Sequence, residues 1–505
     1  MAQSNVKKSI NNMASTILYQ ILTLALGIVI PRLVIVSLGS ESNGLLNSVN
    51  QALTYLALLE GGIGLTITKA LYGPVATDDR DEINGIISAA NLFFKKVGVA
   101  YFFGVVLISI VFPLTIQTTL PPFTVFAVVV LTAMPAVINF FFQQKYRILI
   151  SIYGKNYVLT NLTTVTYVWS SVIKITLLLN GFGLIAVQML YFCIQLAQML
   201  FISWYIRRLC PWLNIKAQPL KNKIGQRSAV FLHQIASFVF SSTDMLILTY
   251  FCNLKVVSVY SIYAMLFSVV KGLGQNFVTS FTFAMGQKFH TDFEEYKKLH
   301  NITETCNMVI NFALFLVLYN CILPFLKLYT AGISDILYVD TLLPVLFVSI
   351  SLLEAGRYPS QKAIEFAGEF QNTRSHALLE AIVNLVVSIV GVQIVGIYGV
   401  LLGTIAALLV RNILMINFAF KKILNMSPLR YVKKWTINLA VFIVLASVAS
   451  VLTSTMEFSS YISLVLFAVV LGIVALAAFG GVAYIYDRAA VSYIVRFMRN
   501  KLLRR

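Results

Sequence analysis

The chain has 505 residues, 59% of them hydrophobic and only 11% charged, with a mean hydropathy of +0.84. A soluble domain carries about 25% charged residues, so a soluble globular protein is excluded and a polytopic membrane protein is described. Lys and Arg number 38 against 19 acidic residues, a net charge of +19. They are spread among loops and form no block, which argues against nucleic-acid binding and for a positive-inside membrane topology.

A spanning helix needs about 20 mostly apolar residues. About fourteen such segments follow one another, near 13–38, 44–71, 92–116, 122–146, 156–180, 182–206, 228–252, 256–284, 303–328, 336–358, 373–395, 397–420, 435–456 and 459–486. Backbone groups in lipid must be satisfied within a segment, so these are helices; the length of the runs excludes a β-barrel. The first run is too long for a signal-peptide core and reads as a span. Cys193, Cys210, Cys252, Cys306 and Cys321 form no close pair, so neither a zinc site nor a disulfide framework is indicated.

Alternate loops collect the basic residues. One side receives Lys7 and Lys8, Arg80, Lys95 and Lys96, Lys145, Arg147 and Lys155, Arg207 to Arg227, Lys288 to Lys298, Lys362 and Arg374, Lys421 to Lys434, and the tail; the other receives only Lys255 and Lys327. This asymmetry places both termini in the cytoplasm. The outer loops are short turns. The polar stretches Asp78–Glu82 and Thr291–His300 are expected to be amphipathic helices in the interface.

The segment from Gly154 to Arg208 returns from Gly368 to Lys422, offset by about 214 residues, with Asn156 opposite Asn372 and Gly183 opposite Gly399. Glu60-Gly61-Gly62 likewise faces Lys271-Gly272-Leu273-Gly274. The expected fold is therefore an all-α polytopic protein with two parallel-related six-helix lobes. The first lobe is 1–215 with spans 1–6, the second 216–427 with spans 7–12, and 428–505 adds a C-terminal helix pair and a cytoplasmic tail.

Charged residues inside spans are costly, at least roughly 2.5–3.5 kcal/mol each at a helix centre, and are expected to face a cavity or a partner. Arg32, Lys174, Lys271, Arg357 and Arg411 form a cationic set suited to an anionic head group, above all a phosphate, which Arg binds in a fork. Glu60, Asp244, Glu354 and Glu380 are the coupling or gating candidates. Glu354 and Arg357, at i and i+3, are placed to neutralise each other, and Pro359 breaks the hydrogen-bond ladder beside them. Glu60 and Lys271 stand at matching repeat positions and are expected to oppose each other across a central chamber. The competing reading pairs Glu60 with Arg32 inside one lobe. His233 reads as a packed core residue. No phosphate-binding loop, no H-E-x-x-H and no paired outer-loop carboxylates are present, so no cofactor, metal or enzymatic centre is expected. Transport would be driven by a monovalent cation, a proton, the membrane potential or the substrate gradient.

With these features the chain resembles the multidrug/oligosaccharidyl-lipid/polysaccharide (MOP) exporter superfamily, which is MATE-like in fold. The run from Lys7 to Gly64, with Gly39, Asn43-Gly44-Leu45-Leu46 and Glu60-Gly61-Gly62-Ile63-Gly64, resembles its polysaccharide branch, the Wzx-type flippases. The resemblance implies a flippase in the bacterial cytoplasmic membrane that exports an undecaprenyl-diphosphate-linked oligosaccharide by alternating access, for capsule, exopolysaccharide or related glycan biosynthesis. It implies membrane lipids, a polysaccharide polymerase and glycosyltransferases as partners. The extra helix pair resembles that of the lipid II flippases, where it forms a groove for the lipid tail. The alternatives are a cation-coupled multidrug exporter of the same fold, favoured by acidic lobe residues, and a membrane polysaccharide polymerase or glycosyltransferase, disfavoured by the short outer loops.

Overall fold

The computed structural model describes residues 2–60, 62–224, 243–369 and 371–493. Among them there are helices and no strands, and twelve helices are long and apolar enough to cross a membrane. The chain is a multi-pass membrane protein. Two of the fourteen expected spans account for the difference. The second is broken, and the seventh lies mostly outside the described residues, as does His233. The chain divides into two compact units, Met1–Ser258 and Val259–Arg505.

The first unit opens with α1 (Ala2–Leu38), which ends at Gly39 with φ 83° and reverses into α2 (Ser40–Ala57). A tight turn over Leu58–Glu60 and the left-handed Gly62, φ 71°, interrupt the second span before α3 (Ile63–Thr77). Hydropathy shows one apolar run here; glycine, which takes positive φ without strain, lets the axis change within it. Asp79 accepts a hydrogen bond from the Glu82 N–H at 3.0 Å and caps α4 (Arg80–Thr115). Asp78–Glu82 is thus the start of a spanning helix rather than a separate surface helix. The next span is α5 (Pro122–Ile138), a π-turn over Asn139–Gln143, and α6 (Gln144–Ile152). Then come α7 (Asn156–Leu179) and α8 (Leu184–Leu209). α4 packs on α5, α5 on α8, and α7 on α1, around a core that includes Ile86, Phe94, Val128, Leu149 and Ile202. Residues 243–251 are helical and lie in this unit.

The second unit takes most of α9 (Leu254–Thr291), then α10 (Phe293–Tyr329), α11 (Leu342–Ala367), α12 (Arg374–Val395) and α13 (Ile397–Phe418). It ends with α14 (Leu429–Thr455) and α15 (Tyr461–Tyr486). Asp292 caps α10 as Asp79 caps α4, accepting from the Glu295 N–H at 3.0 Å. The expected surface helix at Thr291–His300 is therefore the last residue of one helix, the Asp292 cap and the first two turns of the next. α10 is central to the unit and packs against α11, α14 and α15. Gly154 and Gly368, equivalent in the repeat, both sit at positive φ, 71° and 70°, in the links that follow α6 and α11. The repeat is thus visible in the backbone as well as in the sequence.

Candidate functional site

Three helices of the second unit build the densest charged group. Glu380, about one and a half turns into α12, has a side chain only 6% exposed. Arg357 of α11 donates through Nη1 to its Oε1 at 2.5 Å. Arg411 of α13 places Nε 3.7 Å from its Oε2. That same Nε donates to the thioether of Met415 at 2.9 Å, and Arg411 Nη1 is buried with no hydrogen-bond partner among the described residues. His376, one turn before Glu380, also holds a buried Nδ1 without a partner there. Among the described residues the group sets two guanidinium charges against one carboxylate.

The expected Glu354–Arg357 neutralisation is not what the structure shows. Glu354 forms its ion pair with Lys271 of α9, while Arg357 reaches Glu380. The two positions share one helix face, but each side chain extends to a different neighbour, and partners on other helices win over the shared one. In the first unit Glu60 accepts from Gln144 Nε2 at 3.4 Å. Gln144 and Arg147 match Glu354 and Arg357 in spacing, so Glu60–Gln144 and Lys271–Glu354 are equivalent contacts between the second and fourth spans of each repeat. Each of Glu60 and Lys271 is thus bonded within its own unit.

Pro359 behaves as its chemistry requires. It has no N–H for the carbonyl of Ala355, and Asn307 Nδ2 of α10 donates to that oxygen at 2.8 Å. Two further side chains reinforce the same stretch: Asn412 Nδ2 donates to the Leu353 carbonyl at 2.8 Å and the Tyr431 hydroxyl to that of Gly356 at 2.7 Å.

The other expected site residues are dispersed. Arg32 is half-buried on α1. Lys174 lies over the Tyr191 ring, Nζ 4.7 Å from its centroid, with no carboxylate within ion-pair distance among the described residues. Asp244 is buried in the stretch 243–251, beside the Tyr55–Thr243 hydroxyl contact of 2.5 Å.

Sequence reasoning missed a second buried network. Lys434 reads in sequence as a loop charge, yet it is only 4% exposed. Its ammonium donates to Asn301 Oδ1 at 2.6 Å, Asp487 Oδ2 at 2.8 Å, and Glu304 Oε1 and Thr305 Oγ1 at 3.1 Å each. It ties α14 and the end of α15 to α10. Lys145 also reads as a loop charge, but it is buried on α6 and donates to the Phe141 carbonyl at 3.1 Å. The signal available is position: both lie within one or two turns of an apolar run.

No known family profile and no curated protein sequence matches the chain. Solved structures do. A lipid II flippase, MurJ, in an inward closed conformation superposes with a TM-score of 0.68 at 16% identity, over 93% of this chain and 99% of that one. An inward-facing multidrug resistance MATE family transporter of the MOP superfamily gives 0.57 at 14% identity, over 80% and 94%. A further MATE multidrug transporter gives 0.57 at 13%, over 84% and 96%. The chain therefore has the fold of the MOP-superfamily transporters. These neighbours are transporters and flippases, not enzymes.

Proposed function

We propose that the protein is a flippase that exports a polyprenyl-diphosphate-linked oligosaccharide across the bacterial cytoplasmic membrane by alternating access. The observation that carries this reading is the Arg357–Glu380–Arg411 group. Two guanidinium groups held within spanning helices, with donors left over on Arg411, suit the phosphates of a lipid carrier. The similarity to a lipid II flippase over most of both chains supports a lipid-linked cargo. The apolar outer faces of α14 and α15, with Val444, Val448, Leu466 and Val470 exposed, offer a surface for a lipid tail. Capsule or exopolysaccharide biosynthesis is the process served, with the polymerase and glycosyltransferases as partners. The reading calls for no cofactor, and coupling is to the membrane potential, a proton or a monovalent cation.

The test is a lipid analysis of a strain lacking the protein. A glycosylated polyprenyl diphosphate should accumulate on the inner leaflet, and Arg411→Ala should reproduce the accumulation at normal protein level. The MATE likeness and the buried Asp244 and Glu380 favour a second reading, a cation-coupled multidrug exporter. That reading gains if the strain accumulates an amphipathic cationic dye and no lipid intermediate. Sidedness is tested with single cysteines: Gln117, Ser334 and Ser459 should label from outside, and Asp79, Lys221 and Glu294 should not. All six positions are exposed, whereas Ser42 and Tyr296 are buried and would be silent on either face.

A further inference from the structure

The Arg357–Glu380–Arg411 group is incomplete in one respect. A guanidinium has five N–H donors and no acceptor, and donors buried without partners are costly. Arg411 uses Nε on a thioether, a weak acceptor, and on a carboxylate oxygen at 3.7 Å, while its Nη1 has no partner among the described residues. Glu380 meanwhile holds Arg357 at 2.5 Å. One carboxylate is therefore shared unequally between two cations, and among the described residues Arg411 keeps a buried donor without an acceptor.

The group also has a definite depth. Glu380 lies six residues after Arg374, the first residue of α12, and Arg411 seven residues before Phe418, the last of α13. At 1.5 Å per residue they are about 10 Å from the end where α12 begins and where α13 passes into a further π-turn, Ala419–Leu424. The positive-inside reading assigns that end to the cytoplasm, where a cargo would be loaded. Arg357 keeps 18% of its side-chain surface and Arg411 12%, so the group is reachable but mostly dry.

We propose that Glu380 is a resident counter-ion. It occupies the two arginines in the empty carrier and yields them to the phosphates of the cargo, and it thereby sets a minimum charge for binding. The inference rests on the flippase reading above. Its logic is an exchange. A phospholipid with one phosphodiester charge offers the arginines no more than Glu380 already does, and displacing Glu380 would leave a carboxylate unpaired in a nearly buried place. A diphosphate carries at least two charges and enough oxygens to fill both forks, including Nη1 of Arg411, so it can compensate the displaced carboxylate. The carboxylate thus acts against the wrong ligand, the bulk phospholipids that outnumber any lipid-linked glycan.

The experiment uses the full-length protein in detergent, with farnesyl diphosphate and a short-chain phosphatidylglycerol as probes and binding followed by calorimetry. Wild type should prefer the diphosphate by at least tenfold. Glu380→Gln keeps the shape and one acceptor oxygen but removes the charge; it should raise phosphatidylglycerol affinity about tenfold and collapse the preference. Glu380→Asp, which withdraws the carboxylate by one methylene, should shift the ratio in the same direction by about threefold and serves if the Gln variant does not fold. An unchanged ratio in either folded variant, with diphosphate binding still dependent on Arg411, overturns the counter-ion role alone. Absence of diphosphate binding in wild type overturns the flippase reading and the counter-ion with it.

Discussion

Asn43 and Ser258 are 215 residues apart, and Asn43 Nδ2 donates to Ser258 Oγ at 2.8 Å with both side chains buried. The two residues lie near the starts of α2 and α9, the second and eighth spans. The contact belongs to a longer seam along α2, all of it within the first unit. A Cβ at Gly44 would collide with the carbonyl of Leu254, the Ser48 and Thr249 hydroxyls meet at 2.7 Å, and those of Tyr55 and Thr243 at 2.5 Å. Small polar contacts of this kind join helices without the large apolar burial that would make the junction permanent; each is worth about 0.5–1.5 kcal/mol net. Ser48 and Thr249 replaced by cysteine, with the five native cysteines removed, should oxidise to a disulfide and stop export until a reductant is added. Export at the wild-type rate by the fully oxidised protein would show that the seam does not part during transport.

A second expectation concerns Pro359 inside α11. Asn307→Ala leaves the Ala355 carbonyl without a donor, because Pro359 cannot supply one. The loss should be about 1–3 kcal/mol, the cost of a buried unsatisfied group, read as a lowered melting temperature in detergent. Pro359→Ala restores an N–H to the helix, so the double variant should recover most of that loss. Additive losses in the double variant would place the Asn307 contribution elsewhere.

These two cases show what is legible in the sequence and what is not. Apolar length marks the spans, and the repeat in Gly154–Arg208 and Gly368–Lys422 is matched by the paired positive-φ glycines. Pro359 points to a free carbonyl, but nothing in sequence says that Asn307, 52 residues earlier, satisfies it. Partner choice depends on how each helix is rotated against its neighbours, a tertiary property. For that reason Glu354 and Arg357 look like a local pair and instead join Lys271 and Glu380. The break at Leu58–Gly62 is hidden because a hydropathy window averages over it. Lys434 is hidden because a lysine at the edge of an apolar run has the same composition signature whether it snorkels or is buried.

A third expectation concerns the turn between α1 and α2. Glu41 accepts from the Thr118 hydroxyl at 2.7 Å, the Thr119 N–H at 2.8 Å and the Thr119 hydroxyl at 3.0 Å. Burial pushes its carboxyl upward, but these three bonds and nearby Lys255 pull harder and hold it below its ordinary 4.5. A depressed folded value contributes stability above 4.5 that is lost as pH falls through the folded value. The melting temperature of wild type should therefore hold from neutral pH to about 5 and drop below about 4.5. Glu41→Gln should remove that drop relative to wild type and lower stability at neutral pH by about 1–3 kcal/mol. Parallel acid profiles for the two proteins would remove Glu41 from the account.

The last expectation separates a structural latch from a mobile appendage. Lys434 of α14 is bonded to Glu304 of α10 and to Asp487 just after α15, and all three side chains are at most 5% exposed. Arg430, 3.8 Å from Asp487, makes the group two cations against two carboxylates. Burial pushes the Asp487 carboxyl upward, but the Lys434 ammonium, the Asn301 amide and the Ala490 N–H together hold it below the usual range, so it stays charged at neutral pH. Removing one partner from such a group leaves uncompensated buried charge, which typically costs about 3–5 kcal/mol, whereas replacing all members by neutral groups of similar shape can be nearly harmless. Lys434→Met should therefore destabilise strongly. Adding Glu304→Gln and Asp487→Asn to it should restore much of the melting temperature, since the stranded charges are then gone. The deciding measurement is export by the restored triple variant. If the C-terminal helix pair works as a fixed part of the second unit, the triple variant exports normally, because packing of α14 and α15 on α10 remains. If transport requires the pair to move and be recaptured through these charges, the triple variant is stable and inactive.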